Sequence, residues 1–173
     1  MKKIDIESEV RDLAARRDIY DAICNYMRGQ DRLLPGVQRN AFHDDAFVDC
    51  GPYAGSADGF VNFAQGFLAA VKYSQHLIGQ VHIQIEGNIA HGEVYFIAQH
   101  RIVEAGVEKD LIIAGRYIDR YEDRGEGWKI AKRRELIDWA RTDTASDSFI
   151  KDQTSLNLSA RGQADFSCSR IWP

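Results

Sequence analysis

Residues 76–100, HLIGQVHIQIEGNIAHGEVYFIAQH, carry the change of hydrophobic period on which the fold depends. Val81, Ile83 and Ile85 alternate with His82, Gln84 and Glu86, and a short EGN turn then opens a second run in which Val94, Phe96, Ala98 and His100 share one face. A period of two sends successive side chains to opposite faces of a strand, so this stretch predicts two antiparallel strands joined tightly, the second over residues 90–102. Downstream, EAGVEKD at 104–110 and DRGEG at 123–127 reverse the chain twice more, predicting strands over 111–121 and 128–139.

Upstream the period is close to 3.6. Ile6, Val10, Leu13, Ala14, Ile19, Ile23 and Met27 recur mostly every three to five residues, predicting an amphipathic helix over 6–28 with a candidate break at Arg16-Arg17. Gly29, Pro35 and Gly36 then stop the helix and turn the chain. A short strand over 41–50 and the small-residue connection GPYAGSADG precede a second helix over 59–72, capped by Asp58, with Phe60, Phe63, Phe67, Leu68 and Val71 as its apolar stripe. Helices followed by a meander joined too briefly for parallel crossovers describe an α+β domain.

At 173 residues, 45% hydrophobic and 28% charged, the chain suits a single globular domain with room for a pocket. Its formal net charge of -4, with cations scattered among carboxylates, offers no basic surface to nucleic acid. No long apolar run suggests a secretory signal or a membrane span, so the expected location is cytoplasmic. Cys24, Cys50 and Cys168 are too few and too dispersed for a disulfide framework or zinc knuckle, and Cys24 and Cys50 read as buried small hydrophobes. The histidines lack HxxxH or HxH spacing, and GxGxxG, Walker and GxSxG patterns are absent, so no metal or cofactor is expected. Proton transfer, elimination and addition remain as the available chemistry.

Several residues suit that chemistry. Tyr26 and Asp31 lie about 140° apart around a regular helix, and with Gly29 ending the helix Asp31 falls on the helix-to-loop junction. There it can turn inward, or face solvent while Tyr26 serves only as a core aromatic. His76 lies near Gly79, a glycine in strand sequence of the kind that marks a bulge, and imidazole exchanges protons near neutral pH. His82 and His91 fall on the solvated faces of their strands, whereas His100 faces inward and needs a polar partner or substrate oxygen. On the last strand, counting from Trp128 and Ile130 turns Arg134 inward, but a bulge turns Arg133 inward instead. Either cation could hold substrate charge, or both could belong to a charged strand edge.

Four segments, YMRGQDR at 26–32, YSQHLIG at 73–79, AGRYIDRYEDRGEGWKI at 114–130 and KRR at 132–134, resemble the SnoaL-like branch of the NTF2-like superfamily. Within that branch the sequence is most similar to the scytalone dehydratase, hexachlorocyclohexane dehydrochlorinase and bile-acid 7-alpha-dehydratase families, over residues 4–141. The resemblance implies a cone of strongly curved mixed sheet, closed by N-terminal helices around an apolar pocket. It implies His76 as general base, Asp31 as its orienting carboxylate and Tyr26 as a donor to a substrate oxygen. It also implies His100 as an acid for water departure, a last-strand cation for which the motif count favours Arg133 over Arg134, and Tyr53 as a second substrate-contacting tyrosine.

The expected function is therefore a cofactor-free, dehydratase-like lyase acting on a small apolar cyclic or polycyclic substrate. The alternatives are an isomerase or polyketide-cyclase-like enzyme, and a noncatalytic ligand-binding or assembly domain. The expected partner is a further copy of the chain, a homotrimer first, with residues 142–173 as a pocket lid or oligomer contact.

Overall fold

The computed structural model describes residues 5–153 and 155–172. Helix α1 (Ile6–Asp31) is followed by the short α2 (Pro35–Arg39), strand β1 (Phe42–Asp49), strand β2 (Ala54–Ser56) and helix α3 (Ala57–Ala70). Four long strands complete the sheet: β3 (Tyr73–Glu86), β4 (Ile89–Glu104), β5 (Val107–Asp123) and β6 (Trp128–Thr144). The short helices α4 (Ser148–Asp152) and α5 (Phe166–Ser169) lie in the C-terminal segment. The sheet is curved and unclosed, in the order β2-β1-β6-β5-β4-β3; β1 and β6 are parallel and the other pairs antiparallel, giving a mixed sheet in an α+β fold.

The α1 helix is continuous through Arg16 and Arg17. Asp5 caps it by accepting from the amides of Glu7 and Ser8, while Glu7 and Glu9 in the first turn and Arg28 in the last complement its dipole. Contrary to the sequence expectation, Gly29 does not end the helix; it lies within it, and the chain leaves through Leu33 at φ 51°. Gly29 is instead a packing position, because a Cβ there would sit 2.4 Å from the Gln38 backbone nitrogen. Nor does Asp58 cap α3: Ser56 does, its hydroxyl accepting from Gly59 N at 3.3 Å.

Ile19, Ile23 and Tyr26 from α1 and Phe60 from α3 meet Phe42, Val94, Phe96, Tyr117, Tyr121 and Ile130 of the sheet in one core. Three irregularities curve the long strands. One lies at Gly79-Gln80 of β3, and the others add Ala131 and Asp138 to β6. Opposite Asp138 the strands close so tightly that a Cβ on Gly115 would lie 2.1 Å from the Leu136 carbonyl oxygen. The Ala131 bulge shifts the parity of the residues between it and Asp138.

Beyond Thr144 the chain returns to the helices. Arg161 donates to the carbonyls of Leu68 and Val71 at the end of α3, at 2.6 and 2.9 Å, and Arg32 donates to the Ala160 carbonyl at 3.1 Å and to Asp165 at 3.3 Å. Among the described residues no helix is long and apolar enough to cross a membrane.

Candidate functional site

The end of α1 brings Asp31 against the start of β3. Asp31 Oδ1 lies 2.7 Å from His76 Nδ1 and accepts from the Ser74 hydroxyl at 3.2 Å, while Oδ2 accepts from the His76 amide at 3.0 Å. A carboxylate held by three donors positions the ring. With Nδ1–H donated to it, Nε2 is left as the proton acceptor. The two side chains are 5% and 14% exposed, so this contact is shielded from the water that weakens a surface pair. Gln30 approaches Nε2 at 3.5 Å from the last turn of α1.

His76 lines an apolar cavity of about 220 Å³ walled by Phe60, Phe63, Phe67, Leu68 and Phe96, into which Tyr26, His100 and Glu135 also reach. Tyr26 and Asp31 do not share a helix face, yet they serve one site: Tyr26 faces the cavity directly and Asp31 reaches it through His76. Burial raises the Tyr26 hydroxyl well above its usual range, so it keeps its proton.

His100 is buried on β4, its ring 5.3 Å from that of His76 and edge-on to Phe67 at 5.4 Å. Its Nδ1 has no hydrogen-bond partner among the described residues. Burial first, and the neighbouring His76 second, lower its pKa to about 4, against a nearby Asp31 that opposes the shift. Burial therefore favours the neutral imidazole at neutral pH, a form that can still donate one N–H to a substrate oxygen. The sign of the linkage follows: the unfolded chain binds this proton below about pH 6.5 and the folded chain only near 4, so stability is lost as pH falls through that window. The loss reaches about 3 kcal/mol. Urea unfolding of His100→Leu is expected to show a shallower decline between those pH values than the wild type.

Of the two arginines, the bulge at Ala131 turns Arg133 inward and Arg134 outward. Arg134 is 66% exposed and pairs with Asp49, so its candidacy for substrate binding by simple alternation is overturned. Arg133 is buried but does not line the cavity. Its Nε and Nη2 are bound by Asp119 at 2.7 and 2.6 Å, and its guanidinium carbon lies 4.1 Å from the ring centroids of both Tyr26 and Tyr117. Arg133 thus stands behind the cavity wall rather than lining it, with Nη1 buried and without a partner among the described residues beside the Tyr26 and Tyr117 rings. Tyr53 is also displaced from its expected role, because its hydroxyl donates to the Ser56 carbonyl at 3.0 Å and its ring packs on Phe63. Cys24 and Cys50 are half-buried rather than buried, and Cys50 contributes to the cavity wall.

Three polar lining residues, Gln30, Tyr117 and Glu135, escaped the sequence reading. Gln30 sits one position before Asp31 and carries no periodic signal. Glu135 shares the face of Arg133, so the bulge that turns one inward turns the other inward as well. Among the described residues no cluster of His, Cys, Asp or Glu is arranged to hold a metal ion.

The family described as SnoaL-like domain matches residues 11–134. A hexachlorocyclohexane dehydrochlorinase (LinA, type 2) superposes with a TM-score of 0.73 at 20% identity, over 80% of this chain and 95% of that one. The type 3 LinA enzyme from Novosphingobium barchaimii gives 0.71 at 17% identity, over 88% and 99%. A candidate scytalone dehydratase from Novosphingobium aromaticivorans gives 0.65 at 18% identity, over 83% and 93%. At such identities the likeness is one of fold. No curated protein matches the sequence.

Proposed function

Since the chain belongs to the SnoaL-like domain family of the NTF2-like superfamily, we propose that it is a cofactor-independent lyase that removes water from a small apolar cyclic or polycyclic substrate. The observation that carries this reading is the His76 Nδ1 to Asp31 contact at 2.7 Å, with the His76 ring at an apolar cavity. In that arrangement His76 Nε2 takes a proton from carbon beside a carbonyl or ring, Asp31 stabilises the imidazolium that forms, and Tyr26 donates a hydrogen bond to the substrate oxygen. The apolar walls exclude water and strengthen each of these interactions. The lyase-type dehydrochlorinase and candidate dehydratase with the same fold support the reading at the level of reaction class.

The same proposal treats residues 142–173 as a closing segment, supported by the docking of Arg161 and Arg32 beside the helix ends. It takes the functional form to be a homo-oligomer, a trimer first. Exposed apolar side chains on the sheet, among them Phe47, Ile97 and Leu136, support that part.

The test is mass-resolved turnover of a panel of β-hydroxy ketones, phenolic ketols and steroid-like acids. The expected product is lighter than its substrate by one water. Unchanged mass with loss of the substrate's α-proton would select an isomerase, which shares the first step. Saturable binding without turnover, indifferent to His76→Ala, would select a ligand-binding domain.

A further inference from the structure

Elimination of water needs two proton transfers, and the site as described so far performs one. His76 removes the proton from carbon, but the departing hydroxyl must itself be protonated to leave as water. Tyr26 holds its proton too firmly, His100 is neutral, and Arg133 is bound to Asp119 behind the wall.

Glu135 is the lining residue that none of these roles uses. It stands directly across β5–β6 from Tyr117, on the face that the Ala131 bulge turns inward, and it reaches the cavity into which His76 also opens. Among the described residues no hydrogen-bond donor holds its carboxyl, unlike Asp119, which binds Arg133 and Tyr121. A carboxyl group built into an apolar wall without a donor carries a large cost when charged and little when protonated.

We propose that Glu135 is a catalytic residue, the general acid that protonates the leaving hydroxyl. This rests on the lyase reading above. In the step, His76 Nε2 forms a bond to the proton of the substrate carbon and the C–H electron pair becomes the new C=C bond. The C–O bond breaks with its electron pair on oxygen, and that oxygen takes the Glu135 proton and departs as water. The enzyme is left with an imidazolium at His76 and a carboxylate at Glu135. Return of one proton from the first to the second, through the departing water, restores both.

The groups that face Glu135 fit this role. They are Tyr26 from α1, Cys50 after β1, His76 from β3, His100 from β4, Tyr117 from β5 and Arg133 on its own strand. Burial raises the pKa of Glu135, and Arg133 and then His76 oppose that rise. A charge forming on His76 during proton abstraction therefore favours release of the Glu135 proton at the moment the leaving group needs it.

The experiment compares wild type, E135Q and H76A on two matched substrates that differ only in the leaving group, hydroxyl or chloride, since chloride leaves without a proton. Expected is a loss of about 10²–10⁴-fold in kcat for E135Q on the hydroxyl substrate, at least 10-fold larger than its loss on the chloride substrate, with H76A losing both. Glu135→Asp is expected to recover part of the hydroxyl turnover. Infrared difference spectra of the wild type against E135Q are expected to show a protonated carboxyl stretch at the working pH. Equal losses of E135Q on both substrates, full turnover by E135Q of the hydroxyl substrate, or an ionised carboxyl in the spectra would each overturn the assignment while leaving the lyase reading intact. Absence of elimination by the wild type would instead remove the lyase reading, and this assignment with it.

Discussion

Replacing His76 by alanine is expected to reduce kcat for elimination by about 10²–10⁴-fold, the range associated with a positioned general base. Asp31→Asn is expected to fall in the same range, because an amide that donates to Nδ1 instead of accepting from it would hold the ring in the wrong tautomer. The Asp31→Asn side chain with its carbonyl toward the His76 amide keeps that contact, and the Ser74 hydroxyl can rotate to accept from the new NH2, so the change falls mainly on the ring. Two residues acting as one unit do not contribute independently, so the double variant should be little worse than the poorer single one. Steady-state rates for the four forms test this. Rates that multiply across the cycle, or a His76→Ala enzyme retaining most of its turnover, would show that the contact is structural and that the base lies elsewhere in the cavity.

The second large effect is on stability. Arg133 and Asp119 lie directly opposite one another on β6 and β5, with side chains 1% and 0% exposed, and Tyr121 donates to the same carboxylate at 2.6 Å. Asp119→Ala leaves a guanidinium buried without its partner, and breaking such a pair costs about 3–5 kcal/mol. For a chain of this length the corresponding fall in Tm is about 6–20 °C. Replacing the whole group by apolar residues of similar volume, Arg133→Met with Asp119→Leu and Tyr121→Phe, is expected to recover part of the loss, because no buried charge of the pair is then left without a partner. Denaturant unfolding of the two variants against wild type is the measurement. A cost below about 1 kcal/mol for the single change would mean that water reaches the guanidinium and the pair is not sealed.

The elements that the hydrophobic period predicts are present, but their ends differ for identifiable reasons. Residues 104–110 read as a seven-residue reversal, whereas the structure turns in Ala105-Gly106 alone, at φ 50° and 79°, and pairs Glu104 with Val107. Charged residues at a strand end pair as readily as apolar ones when their side chains face solvent, so hydropathy understates the length of these strands. The same holds for β6, which continues to Thr144, past the predicted end at 139 and into the segment read as tail.

At the site, the local pattern offers His76, Asp31, Tyr26 and His100 as candidates beside plain structural readings, and the family resemblance is what gives them roles. Each combines a titratable or hydroxyl group with an inward strand position or a helix end, properties that depend on a few neighbouring residues. The 2.7 Å contact between Asp31 and His76 is of another kind, since it joins residues 45 positions apart through the packing of α1 on β3. The last strand makes the difference plainest. Alternation along β6 is a local rule, and it puts Arg134 inside. One extra residue at Ala131, accommodated by the register with β5, reverses that outcome for Arg133, Arg134 and Glu135 together. A bulge is set by the pairing of two strands and the curvature that the core demands of them, not by the composition of either strand alone. The amino-acid pattern therefore suffices for the α+β class, the helices, the meander and the chemistry carried by individual side chains. Which of those side chains share a cavity, which cation is bound away behind its wall and which carboxyl faces into it are decided by tertiary packing, because each depends on contacts between segments distant along the chain.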